Sequence, residues 1–378
     1  MRHCTCSIWV LTRRPVPPMV RVHVQTAHVP ATARRRAVNL KQLSQTLGLS
    51  QTTVSRALNG YPEVSAATKA RVVAAAKRHD YTPNTRAKSL ATGQAMAIGH
   101  VLPTATRFEM VNPIFADFIA GAATSYARHG YEMLLSVVED GDEAQAYRAM
   151  KARGLVDGVI LHAPRMDDPR IAMLDDIGLP FAVHGRASAH AGPYCWLDVD
   201  NGSAFRRAAD YLLGLGHTRI ALINGLEQYD FAHRRRNGYV AALAARGIAP
   251  DPAIMASDEM TEVFGYDSTR RMMAQDTPPT AYLVASIICA LGVRRAIEEA
   301  GLRMGRDVSV VTHDDVLSYL RNGGTPPIFT AMRASVREAG ARLADMLVAR
   351  IDRPGAAPET CRMQAELTIG GSSGPPPA

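Results

Sequence analysis

The chain has 378 residues and a formal net charge of +8 at neutral pH, and 47% of its residues are hydrophobic. This length predicts two or three domains with a sizeable core. No apolar run approaches the roughly 18–20 residues of a membrane-spanning helix, which argues against a helical membrane protein. The five scattered cysteines argue against a disulfide framework, and Arg13 and Arg14 interrupt the apolar N-terminus. We therefore expect a cytoplasmic protein that is not exported.

The positive charge lies at one end of the chain. Residues 1–93 contain fifteen Lys and Arg but two acids, Glu63 and Asp80, whereas the remainder has 28 basic and 33 acidic residues. A basic head on a mildly acidic body is the electrostatic pattern of a protein that neutralises phosphates. This distribution favours a nucleic-acid partner.

Residues 1–36 contain four prolines and the run Arg34–Arg36, without a sustained apolar period. They are predicted to be a disordered basic extension. Near the start, His3, Cys4 and Cys6 lack a fourth ligand at zinc-site spacing, so we predict no metal and no cofactor.

Residues 37–83 are predicted to form an all-α helix-turn-helix head. A leucine stripe marks the first helix, Gly48 the turn, and Ser50 the start of a second helix that buries Val54, Ala57 and Leu58. A third helix begins at the N-cap Ser65. An ordinary helical hairpin with a polar outer face is the alternative. The second helix exposes side chains suited to base edges in the major groove, namely Gln51, Thr52, Ser55, Arg56 and Asn59.

The body from residue 96 to 370 alternates short apolar runs with helical stretches, which predicts an α/β fold with doubly wound parallel sheets in two lobes. A hinge helix and linker over 84–95 precedes it, and the tail 371–378 is predicted to be disordered. The predicted strands are 97–102, 132–138, 156–163, 180–185, 195–199, 219–224, 281–286 and 307–312. The predicted helices are near 114–129, 142–153, 168–177, 201–215, 231–246, 262–275, 289–300 and 334–351.

Several segments in this order resemble the lactose-repressor (LacI/GalR) family of bacterial transcription factors. The resemblance covers about residues 38–370 and rests on SQTTVSRALNG, YTPN, SLATG, NPIF, VDGVIL, LDVDN, LGHTRIALING, RRNGY and DVSVVTHDD. The phrases FIAGA, HGR, WLDVD and RNGG, with THDD, more narrowly resemble repressors of α-glucoside utilisation. The body is then expected to be similar to periplasmic binding proteins.

The resemblance implies a set of DNA contacts. Gln51, Thr52 and Arg56 would read bases, and Leu90 would wedge into the minor groove, where a hinge-packing leucine is the alternative. We also expect Leu40 to contact DNA. The phosphate contacts would come from Ser50, Thr53, Ser55 and Asn59, with support from Lys69 and Arg86; an N-cap is a second role for Ser50.

The resemblance also implies an effector site. Arg235 and Asp314 would hydrogen-bond sugar hydroxyls, and Phe115 would pack on a sugar face, with core packing as its alternative. Asp200, for which a helix cap is the alternative, and the strand-end residues His162, His184 and Trp196 are further candidates. Arg234 and Arg236 are expected to face solvent. Two residues depart from the family pattern and bear on ligand geometry. Ile287 cannot accept a hydrogen bond, and Arg333 stands where many members carry glutamine.

We therefore expect a homodimeric repressor that binds a palindromic operator and is released by a carbohydrate, with no enzymatic activity. A regulator using a co-repressor and a sugar-binding transport component remain alternatives. An α/β oxidoreductase is disfavoured because no G-x-G-x-x-G turn follows a first strand.

Overall fold

The computed structural model describes residues 38–58, 60–79, 81, 93–103, 112–139 and 141–377. The chain divides into two compact units between Asn84 and Thr85. The predicted extension over 1–36 lies outside the described residues, as do Asn59, Leu90 and most of the predicted hinge. No helix in the described ranges is long and apolar enough to cross a membrane.

The described part of the first unit contains three short helices, α1 (Leu40–Leu47), α2 (Gln51–Leu58) and α3 (Ala66–Arg78). Asn39 caps α1 in a capping box with Gln42, and Gly48 ends it in a left-handed conformation with φ 65°. The helices pack around a small core of buried aliphatic side chains, namely Leu43, Val54, Ala57, Val64, Val72, Ala75 and Ala76. This core fixes which face of α2 is left exposed.

The second unit consists of two α/β lobes, each built on a six-stranded sheet. The sheet of lobe 1 has the order β11-β5-β4-β3-β1-β2 and is parallel throughout. Its strands are β1 (Ala97–Pro103), β2 (Glu132–Val138), β3 (Gly158–His162), β4 (Phe181–His184), β5 (Trp196–Val199) and β11 (Thr360–Met363).

The sheet of lobe 2 has the order β12-β10-β9-β8-β6-β7, and β12 alone among its described strands runs antiparallel to its neighbour. Its strands are β6 (Ile220–Asn224), β7 (Met255–Ser257), β8 (Ala281–Val284), β9 (Ser309–Asp314), β10 (Thr330–Arg333) and β12 (Glu366–Thr368). Strands β7, β10, β11 and β12 have three or four residues each and are missing from the predicted set.

Helices cover both faces of each sheet. They are α4 (Pro113–His129), α5 (Glu143–Ala152), α6 (Pro169–Asp176), α7 (Asn201–Gly214), α8 (Asp230–Ala244), α9 (Glu262–Met273), α10 (Ile287–Glu299) and α11 (Val336–Asp352). All eight agree with the predicted helices to within a few residues. Because α7–α10 belong to lobe 2 whereas α11 and β11 belong to lobe 1, the chain crosses between the lobes three times within residues 141–377.

Glycines bring several helix pairs into backbone contact. In the pair α4–α11, a Cβ on Gly121 would overlap the carbonyl of Arg337, and a Cβ on Gly340 would overlap that of Phe118. Gly238 of α8 meets the carbonyl of Gly202 in the same way. These positions exclude a side chain because the neighbouring atom is rigid backbone.

The disorder predicted for residues 371–378 is wrong for the described part of the tail. Ser372 is fully buried; its hydroxyl donates to the carbonyl of Val310 and accepts from the backbone N–H of Thr330, at 2.5 and 2.8 Å. The carbonyl of Gly374 accepts from Ser309 Oγ at 2.8 Å. Composition suggested disorder because Gly and Ser bury little apolar surface, but here their backbone and hydroxyl groups complete the hydrogen bonding of the sheet.

Candidate functional site

The exposed face of α2 carries the predicted base-reading residues. Gln51, Thr52 and Arg56 are all exposed. Ser50 caps the helix, since its hydroxyl accepts from the backbone N–H of Thr53 at 3.0 Å, and it lies 2.8 Å from Thr53 Oγ1. The helix therefore presents two amide or hydroxyl side chains and one guanidinium on a single surface.

Arg56 is only loosely held within the head. Its guanidinium lies 3.7 Å from a carboxylate oxygen of Glu63, and both side chains are about half exposed. An exposed pair of this kind contributes little to stability, so Arg56 can exchange its partner at small cost. Leu40 is partly buried against the core of the head, and its contact with DNA stays a prediction.

The second unit contains a cavity of about 650 Å³ between the carboxyl ends of the strands of the two lobes. Aromatic rings form much of its wall: Phe115 and Phe118 come from lobe 1, and Tyr229 and Phe231 from lobe 2. Polar groups project between them, including His162, His184, Asn201, Arg235 and Asp315. The volume and the mixture of aromatic and polar walls are typical of a small-molecule site.

Arg235 is held in one orientation on this wall. Its Nε donates to Asn201 Oδ1 and its Nη1 to the carbonyl of Ala285, both at 2.7 Å, and its guanidinium lies 5.1 Å from the ring centres of Phe205 and Phe231. Burial lowers the pKa of Arg235 to about 10, which leaves it charged at neutral pH. Its Nη2 has no acceptor in the described part of the chain. The arrangement keeps that nitrogen available for a ligand oxygen.

The structure does not place Asp314 at the cavity. Its carboxylate accepts from the backbone N–H of Val316 at 2.8 Å and from Arg333 Nε at 3.2 Å. The neighbouring residues His313 and Asp315 line the cavity instead. The sequence did not distinguish the two aspartates of THDD because the strand ends at Asp314, and beyond that point the alternation of side chains does not predict which way Asp315 faces.

Asp315 is the carboxylate beside Arg235. Burial opposes its ionisation, but His313, whose Nε2 lies 3.4 Å away, and Arg235 hold the pKa of Asp315 below its usual range. Asp315 is therefore charged at neutral pH and can accept hydrogen bonds from hydroxyl groups.

Two further predicted effector residues lie away from the cavity wall. Asp200 caps α7 by accepting from the backbone N–H of Ser203 at 3.2 Å. Trp196 lies beneath the guanidinium of Arg186, 5.6 Å from its ring centre. Neither contributes to the wall. Ile287, the first departure from the family pattern, is buried at the start of α10, where Ser286 supplies the cap.

Arg234, expected to face solvent, instead lies in an ion cluster that joins the lobes, and its side chain is 11% exposed. Its Nη1 lies 2.8 Å from Asp198 of lobe 1, and its Nε donates to Asp230 of its own helix at 2.5 Å. Asp230 also accepts from the backbone N–H of Ser188 in lobe 1 at 3.1 Å. The expectation that Arg234 faces solvent is therefore wrong, because the sequence did not show that Asp198 lies opposite it. Arg236 is the more exposed neighbour and is paired with Glu227 at 3.5 Å.

Comparison with known proteins agrees with this architecture. Residues 40–84 match the family described as bacterial regulatory proteins, lacI family, and residues 209–373 match the periplasmic binding protein-like domain. The chain is 46% identical over 340 residues to the HTH-type transcriptional regulator AglR of Rhizobium meliloti (strain 1021), covering 90% of this chain and 95% of that one. It is 33% identical to the regulator RafR of Escherichia coli, covering 73% and 82%.

Solved structures show the same fold. The lac repressor dimer bound to operator and the anti-inducer ONPF superposes with a TM-score of 0.75 at 27% identity, covering 90% of this chain and all of that one. The complex of the transcriptional regulator CelR with cellobiose gives 0.65 at 27% identity, covering 89% and 99%. The relatives are regulators and not enzymes. This chain belongs to the lacI family of bacterial regulatory proteins, which bind DNA through a helix-turn-helix head and carry a two-lobed body.

Proposed function

We propose that this regulator is a cytoplasmic, nucleoid-associated repressor of a carbohydrate-utilisation operon, released from a palindromic operator when an α-glucoside occupies the interlobe cavity. The observation that carries this proposal is the Arg235 site. A guanidinium held by Asn201 and Ala285, flanked by aromatic rings and facing Asp315, offers both donors and acceptors to a polyhydroxylic ligand.

The charge of the cavity favours a neutral sugar over a sugar phosphate. Among the described lining residues the cationic side chain is Arg235, whereas the carboxylates are Asp198, Asp258, Glu259, Glu262 and Asp315. Burial lowers the pKa of His184 to about 4, so this ring adds no positive charge at neutral pH. A phosphate dianion would meet net repulsion there. The cellobiose in the similar CelR structure is a neutral disaccharide, which supports a neutral sugar as the ligand.

On the DNA side, Gln51, Thr52 and Arg56 are proposed to read bases, with Arg56 suited to a bidentate guanine contact. Ser50, Thr53 and Ser55 would contact phosphates beside them. A homodimer would place one head on each half of a palindrome; the dimeric lac repressor on its operator supports this assembly.

Calorimetric titration of the full chain with maltose, trehalose and sucrose, followed by gel-shift titration of the operator with and without the bound sugar, tests the proposal. We expect one of these sugars to bind and to weaken operator binding about ten- to hundredfold, a coupling of roughly 1.4–2.8 kcal/mol. Tighter operator binding in the presence of sugar would identify a co-repressor. Failure of every carbohydrate to bind would refute the carbohydrate assignment.

A further inference from the structure

A hydrogen-bonded chain of three buried side chains runs from the cavity wall into lobe 1. His162 lines the cavity, and its Nε2 lies 3.0 Å from His100 Nδ1. The other ring nitrogen of His100, Nε2, lies 2.9 Å from the hydroxyl of Tyr126 on α4. His100 and Tyr126 are fully buried and do not line the cavity. Sequence analysis identified His162 as a strand-end residue but missed its two partners, which are 62 and 36 positions away in the chain.

His100 and His162 are both neutral. Burial lowers the pKa of His100 to about 3. Burial also lowers the pKa of His162 well below its usual value, and His100, His184 and Arg170 lower it further. A neutral imidazole carries a proton on one nitrogen and a lone pair on the other, so each contact in the chain has a donor and an acceptor. The two contacts can run in either of two directions, depending on which atom of each pair is the donor.

The hydroxyl of Tyr126 sets that direction. Its partner among the described residues is His100 alone. If the hydroxyl accepted from His100, its own hydrogen would be buried without an acceptor, which folded proteins avoid. Tyr126 therefore donates to His100 Nε2, which places the proton of His100 on Nδ1. His100 then donates to His162 Nε2, and the proton of His162 must lie on Nδ1.

We propose that Tyr126, through His100, fixes His162 as a hydrogen-bond donor to an oxygen of the cavity ligand. The Nδ1 of His162 has no protein partner in the described ranges, whereas its ring forms part of the wall. Tyr126 is a positioning residue because it acts from outside the cavity. The acceptor is a hydroxyl or ring oxygen of a neutral sugar, and this part of the inference rests on the proposed function.

Phe115 and Phe118 hold the His162 ring in place. Their ring centres lie 5.2 and 5.0 Å from that of His162, both nearly perpendicular to it. Such edge-to-face contacts stabilise one ring orientation. With ring position set by the phenylalanines and proton position set by Tyr126, His162 discriminates between oxygen acceptors and donor-only groups.

Long-range proton–nitrogen spectra of the full chain labelled with [15N]histidine test the tautomer directly, with His162→Gln used to assign the signal. We expect His162 to show a protonated Nδ1 and an unprotonated Nε2 at neutral pH. In Tyr126→Phe, His100 loses its donor, and the His162 signals should move toward a mixture of the two tautomers. A protonated Nε2 in the unaltered chain would overturn the proposal. Tyr239→Phe is the matched control because its buried hydroxyl donates to Ile220 at the end of β6 far from the cavity.

Calorimetry with the sugar that binds most tightly among maltose, trehalose and sucrose tests the consequence for the ligand. We expect Tyr126→Phe to weaken binding about three- to tenfold, the usual effect of one lost hydrogen bond, and Tyr239→Phe to leave it unchanged. If Tyr126→Phe and Tyr239→Phe bind the sugar equally tightly, the proposed role of Tyr126 in ligand binding is overturned, even if the tautomer is as expected. If no sugar binds but the spectra show Nδ1 protonated, the proposed function fails while the tautomer assignment stands.

Discussion

Replacement of Arg235 separates ligand binding from DNA binding. Among the described residues, Asn201 and Ala285 accept from Nε and Nη1 of Arg235 and none accepts from Nη2, so Arg235→Ala removes at least one charged donor to the ligand. A hydrogen bond to a charged group contributes about 1.5–3 kcal/mol. Since about 1.4 kcal/mol corresponds to a tenfold change in Kd, sugar affinity should fall about ten- to 150-fold.

The same substitution affects the stability of the body. It leaves Asn201 Oδ1 and the carbonyl of Ala285 without a donor, at a cost of about 1–3 kcal/mol in the free energy of unfolding, partly offset by removal of a buried charge. Arg235→Lys keeps the charge, but a single ammonium cannot reproduce the planar fork. We therefore expect Arg235→Lys to weaken sugar binding as well, with a smaller loss of stability.

Calorimetric titration with the effector sugar and gel-shift titration of the operator are the two assays for these variants. The operator Kd without sugar should stay within about twofold of the unaltered chain, because Arg235 is not part of the helix-turn-helix head and the proposed coupling acts through the bound sugar. Arg236→Ala is the control on the same helix; its side chain is 43% exposed, and we expect changes below about 0.5 kcal/mol. Unchanged sugar affinity in Arg235→Ala would refute the reasoning.

Three further predictions follow from the geometry. Arg56→Ala should weaken specific operator binding by about 1–3 kcal/mol and relax the base preference at one position, which anisotropy titrations on operator and scrambled duplexes would measure; equal losses on both duplexes would contradict base reading. Gly340→Ala should destabilise the body by about 1–3 kcal/mol because its Cβ would meet the carbonyl of Phe118, whereas Gly355→Ala has open space; equal melting temperatures for the two would contradict the packing argument. His100 has its pKa lowered from 6.5 to about 3 in the folded chain, so its contribution to stability is complete above pH 6.5 and falls by about 1.4 kcal/mol per pH unit toward pH 3; urea unfolding at several pH values should show a shallower fall for His100→Gln.

The sequence predicted the long, periodic elements well because an apolar stripe identifies a helix or buried strand without knowledge of its partner. The eight described helices of the body are such elements. Within the candidate site, the structure places the predicted residues Phe115, His184 and Arg235 on the cavity wall. These residues were identified by local motifs.

What the sequence could not predict depends on pairs of residues distant in the chain. Arg234 points inward because Asp198, 36 positions earlier, lies opposite it across the lobes. The Gly-Ser tail is ordered because the backbone of lobe 2 supplies hydrogen-bond partners to Ser372. The choice between Asp314 and Asp315 depended on the facing of a single strand end, which periodicity does not resolve where the strand stops.

The three crossings of the chain between the lobes have a consequence for biosynthesis. Helix α11 and strand β11 complete the first lobe, but they are translated after strands β6–β10 of the second. The lobe that begins first is therefore finished late, and a nascent polypeptide that stops before Thr360 lacks an edge strand on both sheets. Neither lobe can be obtained by truncating the gene from one end. A stalled ribosome therefore yields two incomplete lobes with exposed sheet edges and no finished one.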